Sequence, residues 1–312
     1  MPANAQEPAW FPTAGWFGWP PTSQRIREYV LMVAAHINAA SEASMSTAAI
    51  SPTERVTATI DGAIGWLIFN NPAKCNALSL DMWQAIPTIL DRFERESTVR
   101  VVVLRGAGER AFTSGADVSE FERLRGTPAD QERYSTISET ALTRVQQFPK
   151  PTIAMIQGYC MSIGLGVALA CDLRFAGSSA RFASLAARLS LTYRWSDIKK
   201  LIDLIGPART KDFFYSARHV SADEALAIGL VEYMQPDTEI EAFTHAYCAR
   251  IAGNAPLSMT ATKRIVAELV KPSPEIDRNL CKAIVASCYA SEDYVEGRRA
   301  FMEKRQPVFR GK

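Results

Sequence analysis

The chain of 312 residues has no excess of charge of either sign: 35 Lys and Arg stand against 33 Asp and Glu, a net charge of +2. It also lacks any basic stripe or block of like charges, which argues against a nucleic-acid partner. No apolar run approaches the ~18 residues needed to cross a bilayer, so no membrane span is expected. Histidine is scarce, with only His36, His219 and His245. No Ser–His–Asp set stands out around them, which leaves hydrolysis by a triad without support. The six cysteines, at 75, 160, 171, 248, 281 and 288, form no CxxC pair. Buried, reduced thiols in a cytoplasmic protein are therefore expected, rather than disulfides or a metal site.

What is present is an ordinary globular composition, 47% hydrophobic and 22% charged, in a chain long enough for one large core and an appendage. Residues 1–51 are set apart as an N-terminal arm. Trp10, Trp16 and Trp19 lie there among Pro and Gly without a strand or helix period, and Met45 opens a stretch that reads like a natural start. An over-extended start or a poorly ordered arm over residues 1–44 is the expectation. Beyond it, residues 55–69 read as two strands joined at Asp61-Gly62, a favoured hairpin dipeptide. Ser79 precedes a helical pattern with apolar positions at 80, 83, 86, 89, 90 and 93, with a kink expected at Pro87. Strands are predicted over 99–105, 152–157, 173–176 and 181–183, with a buried helix over 165–171. From Trp195 onward the pattern is helical. The alternation predicts an α/β core over 52–245 followed by a helical region over 246–312.

Two stretches carry the chemistry. FTSGAD, residues 112–117, closes one strand-like run with small residues that let backbone N–H groups approach a ligand. GYCMSIGLGVALACD, residues 158–172, follows another apolar strand and opens a helix whose first turn is nearly bare of bulk. Two such turns facing each other can aim two N–H groups at one oxygen, the geometry of an oxyanion hole.

Several blocks in order resemble the crotonase (enoyl-CoA hydratase/isomerase) superfamily: FNNPAKCNALSLDM at 69–82, RAFTSGADVSEF at 110–121, FPKPTIAMIQGYC at 148–160, ACDLRFA at 170–176, SADEALAIGLVEYM at 221–234 and SEDYVEGRRAFMEKRQPVF at 291–309. The resemblance implies an α/β, crotonase-like spiral of ββα units with a helical C-terminal trimerisation region, usually assembled as a homotrimer or hexamer. It implies an enzyme of lyase or isomerase type that takes an acyl-CoA thioester as substrate and needs no metal or redox cofactor. It puts the hole donors on the amides of Ala116 and Ile163. It lays the coenzyme A path along Lys74, Cys75, Asn76, Ala77, Leu78 and Asp117, with Phe301 and Lys304 near the nucleotide end. Lys304 alone reads as a solvated lysine, and Asp117 as the start of a helical turn.

The chain departs from that pattern at the acid and base. Hydratases of the superfamily place two glutamates beside the hole to hold and deprotonate water. Here those positions are Gly166 and Ala186. The segment SLAARLSLTYRWSDIKKL, residues 184–201, walls the expected acyl pocket. Tyr193 falls where a methylmalonyl-CoA decarboxylase of the same superfamily has an active-site tyrosine, and the C-terminal SEDYVEGRRAFMEKRQP also looks closest to that enzyme, although it has a histidine at the place of Ala116. Tyr193 is either an acid or a core aromatic. Asp197 is either a catalytic carboxylate or the cap of the helix that follows. Arg194 either pairs on the surface or meets a substrate carboxylate. An acyl-CoA-binding protein with little catalysis is the remaining alternative. A β-branched residue at 163 also demands that φ stay negative there.

Overall fold

Each of three consecutive stretches of the chain gives a long strand to one sheet, a short strand to a second sheet, and then a helix. The computed structural model describes residues 51–120 and 126–312. The expectations for residues 1–50, including those for the N-terminal arm and His36, lie outside the described residues. The first sheet begins with the hairpin β1 (Val56–Asp61) and β2 (Ile64–Phe69), which turns at Asp61-Gly62 as the sequence predicts. Gly62 takes φ 54°, the left-handed backbone such a turn requires. Parallel strands β3 (Val101–Gly106), β5 (Thr152–Ile156), β7 (Leu173–Gly177) and β10 (Tyr233–Gln235) complete the sheet in the order β1-β2-β3-β5-β7-β10. The second sheet runs β4 (Ala111–Thr113), β6 (Tyr159–Met161), β8 (Arg181–Ala183) and β9 (Val220–Ser221).

The unit β3-β4 leads to α2 (Pro128–Gln146), β5-β6 to α3 (Ile163–Ala170), and β7-β8 to α4 (Trp195–Ser216). This is the spiral of ββα units that the resemblance implies. Helix α1 (Leu80–Arg95) continues through Pro87, its buried stripe Met82, Trp83, Ile86, Ile89, Leu90 and Phe93 pressed into the main core. Trp83 donates from Nε1 to the Tyr134 hydroxyl of α2 at 2.9 Å, so the polar edge of a buried indole is satisfied. The helix α4 breaks at Gly206, which takes φ 78°, just before Pro207. Helices α5 (Ala222–Ala227), α6 (Ile240–Ala252), α7 (Pro256–Leu269), α8 (Arg278–Tyr289) and α9 (Glu292–Met302) complete the chain. All six cysteines are free: Cys160, Cys171 and Cys248 are buried and the others half-buried. Among the described residues no helix is long and apolar enough to cross a membrane.

Candidate active site

Strands β4 and β6 are parallel neighbours, so the chain leaves both at the same end of the second sheet. The turn after β4 carries Ser114, Gly115 and Ala116; the turn after β6 carries Ser162 and then Ile163, the first residue of α3. Their closeness is set by two glycines. A Cβ built on Gly115 would lie 3.3 Å from the Ser162 Cβ and 3.5 Å from the Met161 carbonyl oxygen. One built on Gly164 would lie 2.4 Å from the Thr113 Cγ2 and 2.8 Å from the Thr113 carbonyl oxygen. Only glycine lets the backbone of α3 press against the end of β4 in this way.

The loop 74–78 holds the first turn from its other side. Ser114 donates its N–H to the Cys75 carbonyl at 2.9 Å, Leu78 donates to Gly115 at 2.7 Å, and Asp117 donates to Leu78 at 3.0 Å. Leu78 and Ala116 thus form a single parallel bridge, and the Ala116 N–H faces away from the loop. Cys75 and Asn76 achieve this with consecutive left-handed residues, φ 51° and 55°. Asn76 is buried, and its side chain donates to the carbonyls of Ala107 and Ala111 while accepting from the Asn71 N–H. These bonds secure the loop to both ends of the β3–β4 connection. The Ile163 amide, first in its helix, has no carbonyl one turn back within α3 to accept from it. Among the described residues, then, neither the Ala116 nor the Ile163 N–H is claimed by a backbone acceptor.

Strain at the second turn falls beside the β-branched residue and not on it. Ser162 takes φ 52° and ψ −122°, a conformation that favours glycine, while Ile163 enters the helix with ordinary dihedrals. Lys74 and Asp117, both expected along the coenzyme A path, meet directly: Nζ lies 2.8 Å from the Asp117 Oδ2. Asp117 also accepts from the Ser119 N–H and hydroxyl, so it starts the short helical turn Val118–Glu120 as well. Burial alone would raise the Asp117 carboxyl, but Lys74 and Ser119 outweigh it and hold the group below the ordinary carboxylate range.

The wall facing the second turn is less regular. Ala186 is buried and opens the short turn Ala186–Leu189. The Tyr193 ring packs edge-on against Phe214, and its hydroxyl is buried with no hydrogen-bond partner among the described residues. Burial raises this phenol above its ordinary value; the neighbouring Ser184 and Ser162 hydroxyls oppose the shift without completing a hydrogen bond, and Asp197 adds to it. Tyr193 therefore keeps its proton at neutral pH, and the hydroxyl sits beside Ser162, the residue that precedes Ile163 in the chain.

Asp197 is not the helix cap. The helix begins at Trp195 with Arg194 at the N-cap position, so Asp197 falls in the first turn, where a carboxylate still suits the helix dipole. It is buried between Arg194, whose Nε lies 3.4 Å away, and Lys200, whose Nζ lies 3.9 Å away. Arg194 also approaches Glu139 at 3.7 Å, which makes it a member of a charge cluster. Sequence reasoning missed Lys200, although its spacing of three from Asp197 on a helix is the signal for such a pair. Phe301 and Lys304 are exposed at the end of α9 and just beyond it.

Comparison with known proteins agrees with this architecture. The family profile described as Enoyl-CoA hydratase/isomerase matches residues 59–312. A short-chain-enoyl-CoA hydratase of Clostridium acetobutylicum is 28% identical over 246 residues, covering 79% of this chain and 94% of that protein. A peroxisomal Delta(3,5)-Delta(2,4)-dienoyl-CoA isomerase of Arabidopsis thaliana is 29% identical, covering 80% of this chain and 93% of its own. Among solved structures, an enoyl-CoA hydratase/carnithine racemase from Magnetospirillum magneticum superposes with a TM-score of 0.79 at 32% identity, covering 84% of this chain and 98% of that one.

Proposed function

The chain belongs to the enoyl-CoA hydratase/isomerase family, and from that premise we propose that it is an acyl-CoA enzyme working through a thioester enolate. The amides of Ala116 and Ile163 hold the thioester oxygen as negative charge builds on it. One observation carries this reading: two glycine-bearing turns in van der Waals contact each present an N–H that no backbone acceptor among the described residues claims. Preorganised donors of this kind cost no reorganisation when charge develops; losing one costs on the order of 10²–10³ in rate in comparable sites. Residues 74–78, with Lys74 and Asp117, line the approach of the coenzyme A portion.

Gly166 and Ala186 offer no proton-transfer group, so addition of water by paired carboxylates is not the reaction this site favours. Tyr193, whose buried hydroxyl lies beside Ser162, is the acid we assign to this site. A malonyl-type thioester suits that set. The bond between the α-carbon and its carboxylate breaks, carbon dioxide leaves, and the electron pair passes into the enolate held by the two amides. The Tyr193 hydroxyl then gives its proton to the α-carbon and is reprotonated from water. Burial keeps the phenol protonated at neutral pH, so its proton is present to be given.

Turnover of methylmalonyl-CoA and crotonyl-CoA by wild type and Tyr193→Phe tests the assignment. The account expects methylmalonyl-CoA to be consumed faster, and the Phe variant to be slower by about 10²-fold, the typical contribution of a positioned acid. Equal turnover by the two proteins removes Tyr193 from the mechanism. Binding without turnover across a thioester panel would instead favour an acyl-CoA-binding protein. Assembly as a homotrimer or hexamer through residues 246–312 belongs to the same proposal. Exposed Val266 and Leu269 on α7, Val270 just after it, and Val285 and Tyr289 on α8 support it, and sedimentation equilibrium measures it. The free thiols fit action in a reducing compartment, the cytoplasm.

A further inference from the structure

Three buried glycines are glycine for a visible reason. A Cβ on Gly106, Gly164 or Gly177 would lie within 2.0, 2.4 or 2.2 Å of a neighbouring atom. Gly166 is different. It is buried in the interior of α3, yet a Cβ built there meets one atom within reach, the Leu142 Cδ1 of α2, at 3.9 Å. That is ordinary contact, so alanine fits. Glycine inside a helix lowers stability relative to alanine by roughly 0.5–1 kcal/mol. The chain therefore keeps a destabilising residue where nothing in its own packing demands one.

The space lies beside the proposed site. Gly166 is four residues after Ser162 and so lies one turn further along the same face of α3, a rise of about 5.4 Å. Ser162 is the residue beside which the Tyr193 hydroxyl is buried without a partner. Room for a methyl group at Gly166, in the helix that begins with the Ile163 amide, is suited to part of a ligand. We infer that Gly166 is a specificity-determining residue, its missing side chain leaving room for a branch on the acyl group within two carbons of the thioester carbonyl. An oxygen accepting from the Ile163 amide at about 2.9 Å puts the α-carbon roughly 5 Å from that nitrogen, comparable to the rise of about 4.5 Å from Ile163 to Gly166. The inference rests on the acyl-CoA reading above and narrows it to branched acyl thioesters.

The test uses saturated thioesters, so it does not depend on which reaction the enzyme performs. Dissociation constants for butyryl-CoA, α-methylbutyryl-CoA and β-methylbutyryl-CoA are measured by isothermal titration with the full chain and with Gly166→Ala. Wild type is expected to bind one of the branched forms about fourfold tighter than butyryl-CoA, the gain from burying one methyl group. Gly166→Ala is expected to bring that ratio to unity or below while raising the melting temperature of the free protein. The raised melting temperature shows that the variant folds and that the space was there. Equal binding of all three thioesters by wild type overturns the inference, as does a branch preference that survives in Gly166→Ala. Failure of wild type to bind any of the three is a separate outcome: it removes the acyl-CoA reading, and this inference with it.

Discussion

Replacing Gly164 by alanine adds one methyl group to a wholly buried position, and the structure states where it would go. The new carbon would stand 2.4 Å from the Thr113 Cγ2 and 2.8 Å from the Thr113 carbonyl oxygen. Non-bonded carbons rest at about 3.5–4.0 Å, so the first approach is too close by roughly 1 Å. The Thr113 side chain can rotate away; its carbonyl, fixed in β4, cannot. Helix α3 must therefore lift from the sheet. Overpacking of this kind costs about 1–3 kcal/mol. Intrinsic propensity acts the other way, since alanine is the better helix former by about 1 kcal/mol. The net expectation is a loss of about 0–2 kcal/mol, in contrast to the gain expected for Gly166→Ala two residues further on. The site should suffer more than the fold does. The Ile163 amide is one residue from the clash and moves with the helix, and a lost hydrogen bond of about 0.5–1.5 kcal/mol weakens butyryl-CoA binding by roughly two- to twelvefold. Urea denaturation and isothermal titration of the two glycine variants measure both effects. If Gly164→Ala were as stable as Gly166→Ala and bound butyryl-CoA as wild type does, the contact between β4 and α3 would not be what positions the donor.

Other consequences follow from single residues. Ser162→Gly relieves a backbone conformation that disfavours serine, and should raise stability by about 1 kcal/mol in the same denaturation assay. Tyr193→Phe removes a buried hydroxyl that lacks a partner, so the free protein should become more stable, by about 1 kcal/mol, even as turnover falls. For Asp117 the carboxyl lies lower in the folded chain than in the unfolded one, so the unfolded chain binds more protons across that interval. Its contribution is fully present above the unfolded value and is lost as pH falls through the folded value. Asp117→Asn should accordingly flatten the acid limb of the stability–pH curve, while leaving the slope near neutrality unchanged.

The long elements of this fold were legible because each carries enough residues to show a period. The β1–β2 hairpin announces itself at Asp61-Gly62, helix α1 by its apolar stripe, and β3 and β5 by apolar runs. Most of the second sheet was not legible. Strands β4, β6 and β9 are two or three residues long, too short for any alternation to register. Yet β4 and β6 are what bring the two turns together. The small residues at 114–116 and 162–164 marked where backbone could come close, but not that Gly115 and Ser162 would touch. The cap reading of Asp197 fails because the helix starts at Trp195, where the helical pattern begins, and this puts Asp197 inside the first turn. The i,i+3 spacing of Arg194, Asp197 and Lys200 was there to be read, but the approach of Glu139 from α2 to Arg194 was not. Gly166 looked in sequence only like a missing glutamate; the structure adds that a methyl group there would meet only Leu142, at ordinary contact.

The central claim is that two main-chain amides polarise one thioester carbonyl, and infrared spectroscopy reads that directly. Butyryl-CoA labelled with carbon-13 at the carbonyl is bound to the full chain, and its stretch is isolated by difference against the unlabelled ligand. Two fixed donors in a water-poor site weaken the carbon–oxygen double bond more than mobile water does. The account predicts a stretch below its frequency in water, moving back toward that value in Gly164→Ala. A bound carbonyl that absorbs at or above its solution frequency would contradict it.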